Sequence, residues 1–137
     1  MSSRARLLTF VVLAIVALLG AGGAYAAYEY KRQQSIKAEV TALTGGDPDR
    51  APELITRYGC AGCHTIPGVR VANGRVGPPL NQFAGRVYIG GVLTNRPDNL
   101  VRWIVNPRAV TSRTAMPVTG ISEADARHVA AYLLTLR

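Results

Sequence analysis

Apolar residues fill one unbroken stretch near the start of the chain and then give way to short periodic runs. Residues 7–28 carry no charge. As a helix rising 1.5 Å per residue they would cover roughly 30 Å, about one hydrocarbon core. Arg4 and Arg6 precede the stretch, and Tyr25, Tyr28 and Tyr30 close it. That is the arrangement of a transmembrane helix with a cytoplasmic N-terminus and an aromatic belt at the far interface. Ala17, Gly20, Ala21 and Ala24 recur at three- and four-residue steps, a face suited to packing against another membrane helix. A signal peptide has similar features: residues 7–19 have its apolar length, and Ala24-Tyr25-Ala26 is an A-x-A cleavage site. The uncharged run beyond that site, and the helical pattern after it, favour a retained anchor. In either case the remainder of the chain is exported.

Residues 29–43 are polar, with Ile36, Val40 and Leu43 at helical spacing. Thr44-Gly45-Gly46-Asp47-Pro48 breaks that pattern and marks a boundary. The organisation expected is an anchor or signal segment over 1–28, a stalk over 29–46 and a domain over 47–137. In the domain, Leu54, Ile55 and Tyr58 form the apolar face of a first helix capped near Asp49, with Pro52 in its first turn and Gly59 at its end. Residues 65–91 are rich in Gly and Pro and read as loop wrapped around something, not as sheet. A second helix lies between Pro97 and Pro107, with Leu100, Val101, Ile104 and Val105 near one face and Trp103 beside them. Ser122 and Asp125 form a capping box for a last helix carrying Ala126, Val129, Ala130 and Leu133 at i, i+3, i+4 and i+7. His128 falls about 200° around from Ala126, which predicts an exposed His.

Between the first helix and the loop stands Cys60-Ala61-Gly62-Cys63-His64. The C-x-x-C-H string is the attachment signature of a c-type haem. Two thiols at this spacing can each form a thioether to one of the two vinyl groups on a porphyrin edge. The adjacent imidazole then lies under the iron. A sixth ligand is needed, and a Met thioether raises the potential into the electron-carrier range. The sequence holds two Met; one is the initiator, which leaves Met116. A redox disulfide would normally follow a strand in a βαβ context, absent here. A zinc site would need ligands beyond His128 and a second Cys pair. The cofactor expected is therefore one covalent haem c, on Cys60 and Cys63, with His64 and Met116 as the metal ligands.

The domain is small for a self-sufficient core, and a buried haem would supply apolar bulk. Residues 50–137 hold eleven Arg, no Lys and four acidic residues, net +7, within a chain of net +8. That charge suits an acidic protein partner or anionic lipid. Nucleic acid is excluded as a partner, because no basic run is interleaved with aromatics and haem attachment is extracytoplasmic. No acid–base pair or nucleophile constellation is present, and no small-molecule substrate is expected.

The order of these motifs resembles a class I cytochrome c. A helix ends at Cys60–His64, then come Gly77-Pro78, Phe83-Ala84-Gly85-Arg86, Asn106-Pro107, Met116-Pro117 and a terminal helix. Residues 93–117 are especially similar to the haem c domains fused to subunit II of some haem-copper terminal oxidases. The Cys needed for the dinuclear copper domain of those proteins are not in this sequence. The resemblance implies an all-α domain whose N- and C-terminal helices cross, with haem-wrapping loops. It also implies three roles: Pro78 accepts the ring N–H of His64, Arg86 binds a haem propionate, and Trp103 packs near the Met ligand in place of a Tyr. The propionate-bound Trp of mitochondrial relatives has no clear equivalent, with Tyr88 or Asn95 as candidates.

The function expected is single-electron transfer in a membrane respiratory chain, with the haem domain on the periplasmic face of an inner membrane. The partner is an acidic redox protein or a membrane respiratory complex, a terminal oxidase being favoured over a quinol-oxidising complex. The alternatives are a fixed haem-relay subunit of a dehydrogenase or other complex, and a soluble periplasmic carrier after signal cleavage. A haem enzyme or gas sensor would require Met116 to be displaced.

Overall fold

The structure is a computed structural model, and it describes residues 3–137; Met1 and Ser2, the first two residues of the expected anchor, lie outside the described residues. The chain divides into two compact units, Met1–Ser35 and Ile36–Arg137. Helix α1 runs Ser3–Thr44. Within it is an 18-residue window of mean hydropathy 2.5 with none of its residues buried. This helix is long and apolar enough to cross a membrane.

The second unit is mostly helical. It contains a 3₁₀ turn over Pro48–Arg50, then α2 (Ala51–Arg57), α3 (Cys60–Cys63), a 3₁₀ turn over Phe83–Gly85, α4 (Pro97–Val105), α5 (Pro107–Val110) and α6 (Glu123–Thr135). Helix α2 has its N-cap at Arg50, beside the expected Asp49 and without a side-chain bond; Asp47 caps the 3₁₀ turn before it, its Oδ1 accepting from the Asp49 N–H at 2.9 Å. Pro48 and Pro52 each sit in a first turn, where no intrahelical N–H bond is lost. Ser122 Oγ accepts from the Asp125 N–H at 3.1 Å and caps α6.

The loop region holds a little sheet after all. Strands β1 (Tyr88–Ile89) and β2 (Leu93–Thr94) form a two-residue antiparallel hairpin, and Thr65 bridges Asn73. Two-residue strands carry too little periodicity to register as a pattern.

Helix α6 is the centre of the packing, contacting α2, α4 and the turn over Pro48–Arg50. Its face of Ala126, Val129, Ala130 and Leu133 is buried with Leu54, Ile55, Leu100, Val101 and Ile104. Ala126 and Ala130 are fully buried, so the helices approach closely there, and a larger side chain would have to displace a neighbour. On its other side α6 offers Ala131 to Ile36 and Val40. The last turns of α1 are thus part of the compact unit, although the sequence pattern assigned them to a stalk. Thr44, buried, donates to the Val40 carbonyl at 2.7 Å and accepts from the Gly46 N–H at 3.0 Å. Arg127 Nη1 donates to the Thr44 carbonyl at 2.9 Å, satisfying one of the helix-end acceptors.

His128 is a correction to the sequence reading. It is half-buried, and its Nδ1 accepts from the Asp47 N–H at 2.7 Å. The helical wheel placed it away from the core face. It could not show that the turn around Asp47 folds back over that side of α6.

Candidate functional site

The short helix α3 sets the attachment motif on the wall of a cavity of about 590 Å³. That volume falls in the range of about 300–1,000 Å³ found for small-molecule and cofactor sites. Cys60, Cys63 and His64 all line it. The chain leaves the helix at His64, whose backbone is extended, while the His64 N–H still reaches the Cys60 carbonyl at 3.0 Å. Burial pushes the free Cys60 thiol above its ordinary pKa.

The imidazole is held from behind. His64 Nδ1 lies 2.7 Å from the Pro78 carbonyl oxygen. A carbonyl can only accept, so Nδ1 carries the proton and Nε2 keeps its lone pair. The loop is brought there by the Gly77 N–H, which donates to the Cys63 carbonyl at 2.8 Å. Gly77 must stay without a side chain. A Cβ there would come within 2.7 Å of Nδ1 and 2.9 Å of Nε2, and closer still to Cε1. The expected partner Pro78 and its neighbour Gly77 therefore act as one clamp on the ring.

Met116 lines the same cavity and is half-buried. Its backbone N–H donates to Thr114 Oγ1 at 3.1 Å, which shapes the turn before Pro117. Phe83, Ile89, Leu100, Ile104, Val129 and Leu133 make the wall apolar, and Trp103 is part of it. Two features of the lining had not been singled out from the sequence: the threonines Thr111, Thr114 and Thr119, and the cation Arg113. Their nearness to Met116 in the chain was the available signal.

Arg86 also lines the cavity. Its Nη2 donates to the Pro79 carbonyl and to the Asn81 carbonyl, the latter at 3.2 Å. Its Cζ stands 5.0 Å from the centre of the Phe83 ring, a cation–π arrangement that further fixes it. The guanidinium is pinned at the cavity edge with donors to spare. Tyr88 and Asn95 are outside the lining. Tyr88 is exposed, and both amide protons of Asn95 are spent on the Phe83 and Arg86 carbonyls, at 2.9 and 3.0 Å. What Asn95 has left is a buried, unpartnered Oδ1, an acceptor that cannot bond a carboxylate.

Two thiols, an imidazole with a free Nε2, a thioether, apolar walls and edge arginines are the donor set of a covalent haem pocket. Among the described residues no group of three or more His, Cys, Asp or Glu converges to hold a bare metal ion. The residues present therefore fit a haem c.

Comparison with known proteins agrees. The chain is similar to "Cytochrome c oxidase subunit 2" of Alkalihalophilus pseudofirmus, 30% identical over 105 residues, which cover 76% of this chain and 30% of that protein. It is likewise 30% identical over 112 residues to "Cytochrome c oxidase subunit 2" of Bacillus sp. strain PS3, covering 78% of this chain and 30% of the relative. The chain thus spans less than a third of the length of these relatives. No solved structure matches it significantly. Residues 48–137, the part that builds the cavity, match the family described as Cytochrome c: the chain belongs to the cytochrome c family, and it is a haem-bearing electron-transfer protein.

Proposed function

We propose that this chain is a mono-haem c-type cytochrome, held by α1 in an inner membrane with its haem domain on the periplasmic side, that passes electrons to or within a terminal oxidase. The observation that carries the reading is the convergence of Cys60, Cys63, His64 and Met116 on one apolar cavity. When bound there, the haem supplies one-electron chemistry at its iron. Cys60 and Cys63 would hold it covalently. His64 Nε2 and the Met116 sulfur would be the axial ligands. The Pro78 carbonyl accepts from Nδ1 and orients the imidazole, which would leave Nε2 as the ring nitrogen facing the iron. The apolar wall excludes water, and Arg86 would meet a propionate at the cavity edge.

The two relatives named as oxidase subunits support the choice of partner. So does the basic balance of the domain, +7 over residues 50–137 and still +5 when Asp47 and Asp49 are counted. At the cavity, Val76 and Val92 are 85% and 51% exposed, and Arg113 stands in the same lining. An apolar contact with basic groups beside it fits an acidic redox partner. Electron transfer from the reduced protein to a purified copper-containing oxidase tests this across a salt series. Steered docking predicts a rate that falls as the Debye length shrinks from roughly 10 Å at 0.1 M to about 3 Å at 1 M.

A second reading, a fixed relay subunit, is favoured by one observation: Ile36 and Val40 are packed on Ala131, so the end of α1 is not a free linker. A rate flat with salt, together with co-purification of a stable complex in mild detergent, would select it.

A further inference from the structure

The β1–β2 hairpin turns through Gly90 and Gly91, both in the left-handed region at φ +55° and +73°. They differ in what surrounds them. A Cβ on Gly90 would lie 2.5 Å from Trp103 Cη2, 2.7 Å from Cζ2 and 3.1 Å from Cζ3. A Cβ on Gly91 would meet nothing within 4 Å. Gly90 and Trp103 both line the haem cavity. The far edge of the indole is therefore laid against the bare Cα of the turn. No residue with a side chain leaves that space.

We infer that Gly90 is a positioning residue for the redox site: its missing side chain seats Trp103 in the cavity wall, and the seated ring keeps the wall closed. This rests on the haem reading proposed above. Pushing the ring out would open the wall to water. Oxidised iron carries one more positive charge than reduced iron, so added water stabilises the oxidised form and lowers the potential. A role limited to the turn would act differently. Any side chain at Gly90 or Gly91 strains a left-handed backbone, and that strain lowers stability without moving the ring.

The pair of glycines makes the experiment self-controlled. Haem content of the wild-type chain is measured first; absence of covalent haem there would overturn the haem reading itself, separately from this inference. Gly90→Ala and Gly91→Ala are then compared by reduction potential and by the near-ultraviolet dichroism of Trp103, the single Trp of the sequence. Gly90→Ala should lower the potential and change the indole band. Gly91→Ala should lower the melting temperature and leave both signals in place. In a Trp103→Leu background there is no ring edge to displace, and adding Gly90→Ala should leave the potential where Trp103→Leu alone puts it. If Gly90→Ala prevents haem loading, the double variant decides: recovered loading supports the seating role, and continued failure overturns it. Equal potentials and indole bands in the two Gly→Ala proteins would also overturn it, as would a shift that persists undiminished without Trp103.

Discussion

Tyr132 Oη donates a 2.6 Å hydrogen bond to the Pro67 carbonyl, so α6 holds the loop that leaves the haem attachment motif 65 residues earlier. Tyr132→Phe keeps the ring and removes the bond. A neutral intramolecular hydrogen bond contributes about 0.5–1.5 kcal/mol net, and guanidinium unfolding should show a loss of that size. Burial raises the Tyr132 pKa. The hydroxyl therefore stays protonated beyond the ordinary Tyr value; its contribution is full below the unfolded pKa of roughly 10 and is lost as pH rises from there through the raised folded value. Unchanged stability in Tyr132→Phe would show that the loop is held by other contacts.

A second cross-link gives a pH signature. Tyr58 Oη donates to Asp125 Oδ2 at 2.7 Å, joining the end of α2 to α6. The bond from Tyr58 holds Asp125 below the usual carboxylate range, with the Ser122 bond and the charges of Arg50 and Arg57 adding to it. The same bond, chiefly, holds Tyr58 above the usual phenol value. A lowered acid contributes stability above its unfolded pKa of roughly 3.9 that is lost as pH falls through the folded value. A raised phenol contributes stability below its unfolded pKa of roughly 10 that is lost as pH rises through the folded one. Tyr58→Phe should therefore melt lower than wild type near neutrality, and the two curves should converge at both pH extremes. A constant gap across that range would contradict the assignment.

Met116→Ala should abolish the weak near-infrared sulfur-to-iron band of the oxidised protein and lower the reduction potential, since the thioether is what raises it. Carbon monoxide should then bind a reduced protein that excluded it before. Retention of the band and the potential would remove Met116 from the site.

Acid–acetone treatment should leave haem on the wild-type polypeptide, and still on either Cys60→Ala or Cys63→Ala alone. The double variant should release it. Release from the wild type would exclude thioether attachment.

The packing of Ile36 against Ala131 predicts that Ile36→Ala, in the full chain in detergent, destabilises the haem domain. Burial of Ile36 is nearly complete, at 7% exposed. Large-to-small changes at such sites cost about 2–5 kcal/mol, and Ile36, in the small cluster with Val40 and Ala131 outside the main core, should fall at the lower end. Denaturant unfolding followed at the haem absorbance reads it directly. A loss below about 0.5 kcal/mol, the size of an ordinary surface substitution, would mean that residues 36–44 are a stalk after all.

The sequence alone determined what depends on neighbours along the chain. The uncharged run of residues 7–28 is a property of composition. The spacing of Cys60, Cys63 and His64 is a local requirement of haem attachment. The α6 face of Ala126, Val129, Ala130 and Leu133 follows from 3.6-residue periodicity. The resemblance to class I cytochromes c rested on those same short-range motifs, in order. The pairing of His64 with Met116 and Pro78 came from the order of those motifs; tertiary structure decided the other contacts between distant segments. The collision that forbids a side chain at Gly77 appears only when the loop closes on His64. The commitment of Asn95 to the Phe83 and Arg86 carbonyls appears only when the hairpin folds back. His128 looked exposed because a helical wheel shows which residues share a face, not which other segment covers that face. The end of α1 looked like a stalk for the same reason: Ile36 and Val40 show an apolar stripe in sequence, but only the fold supplies Ala131 to bury it.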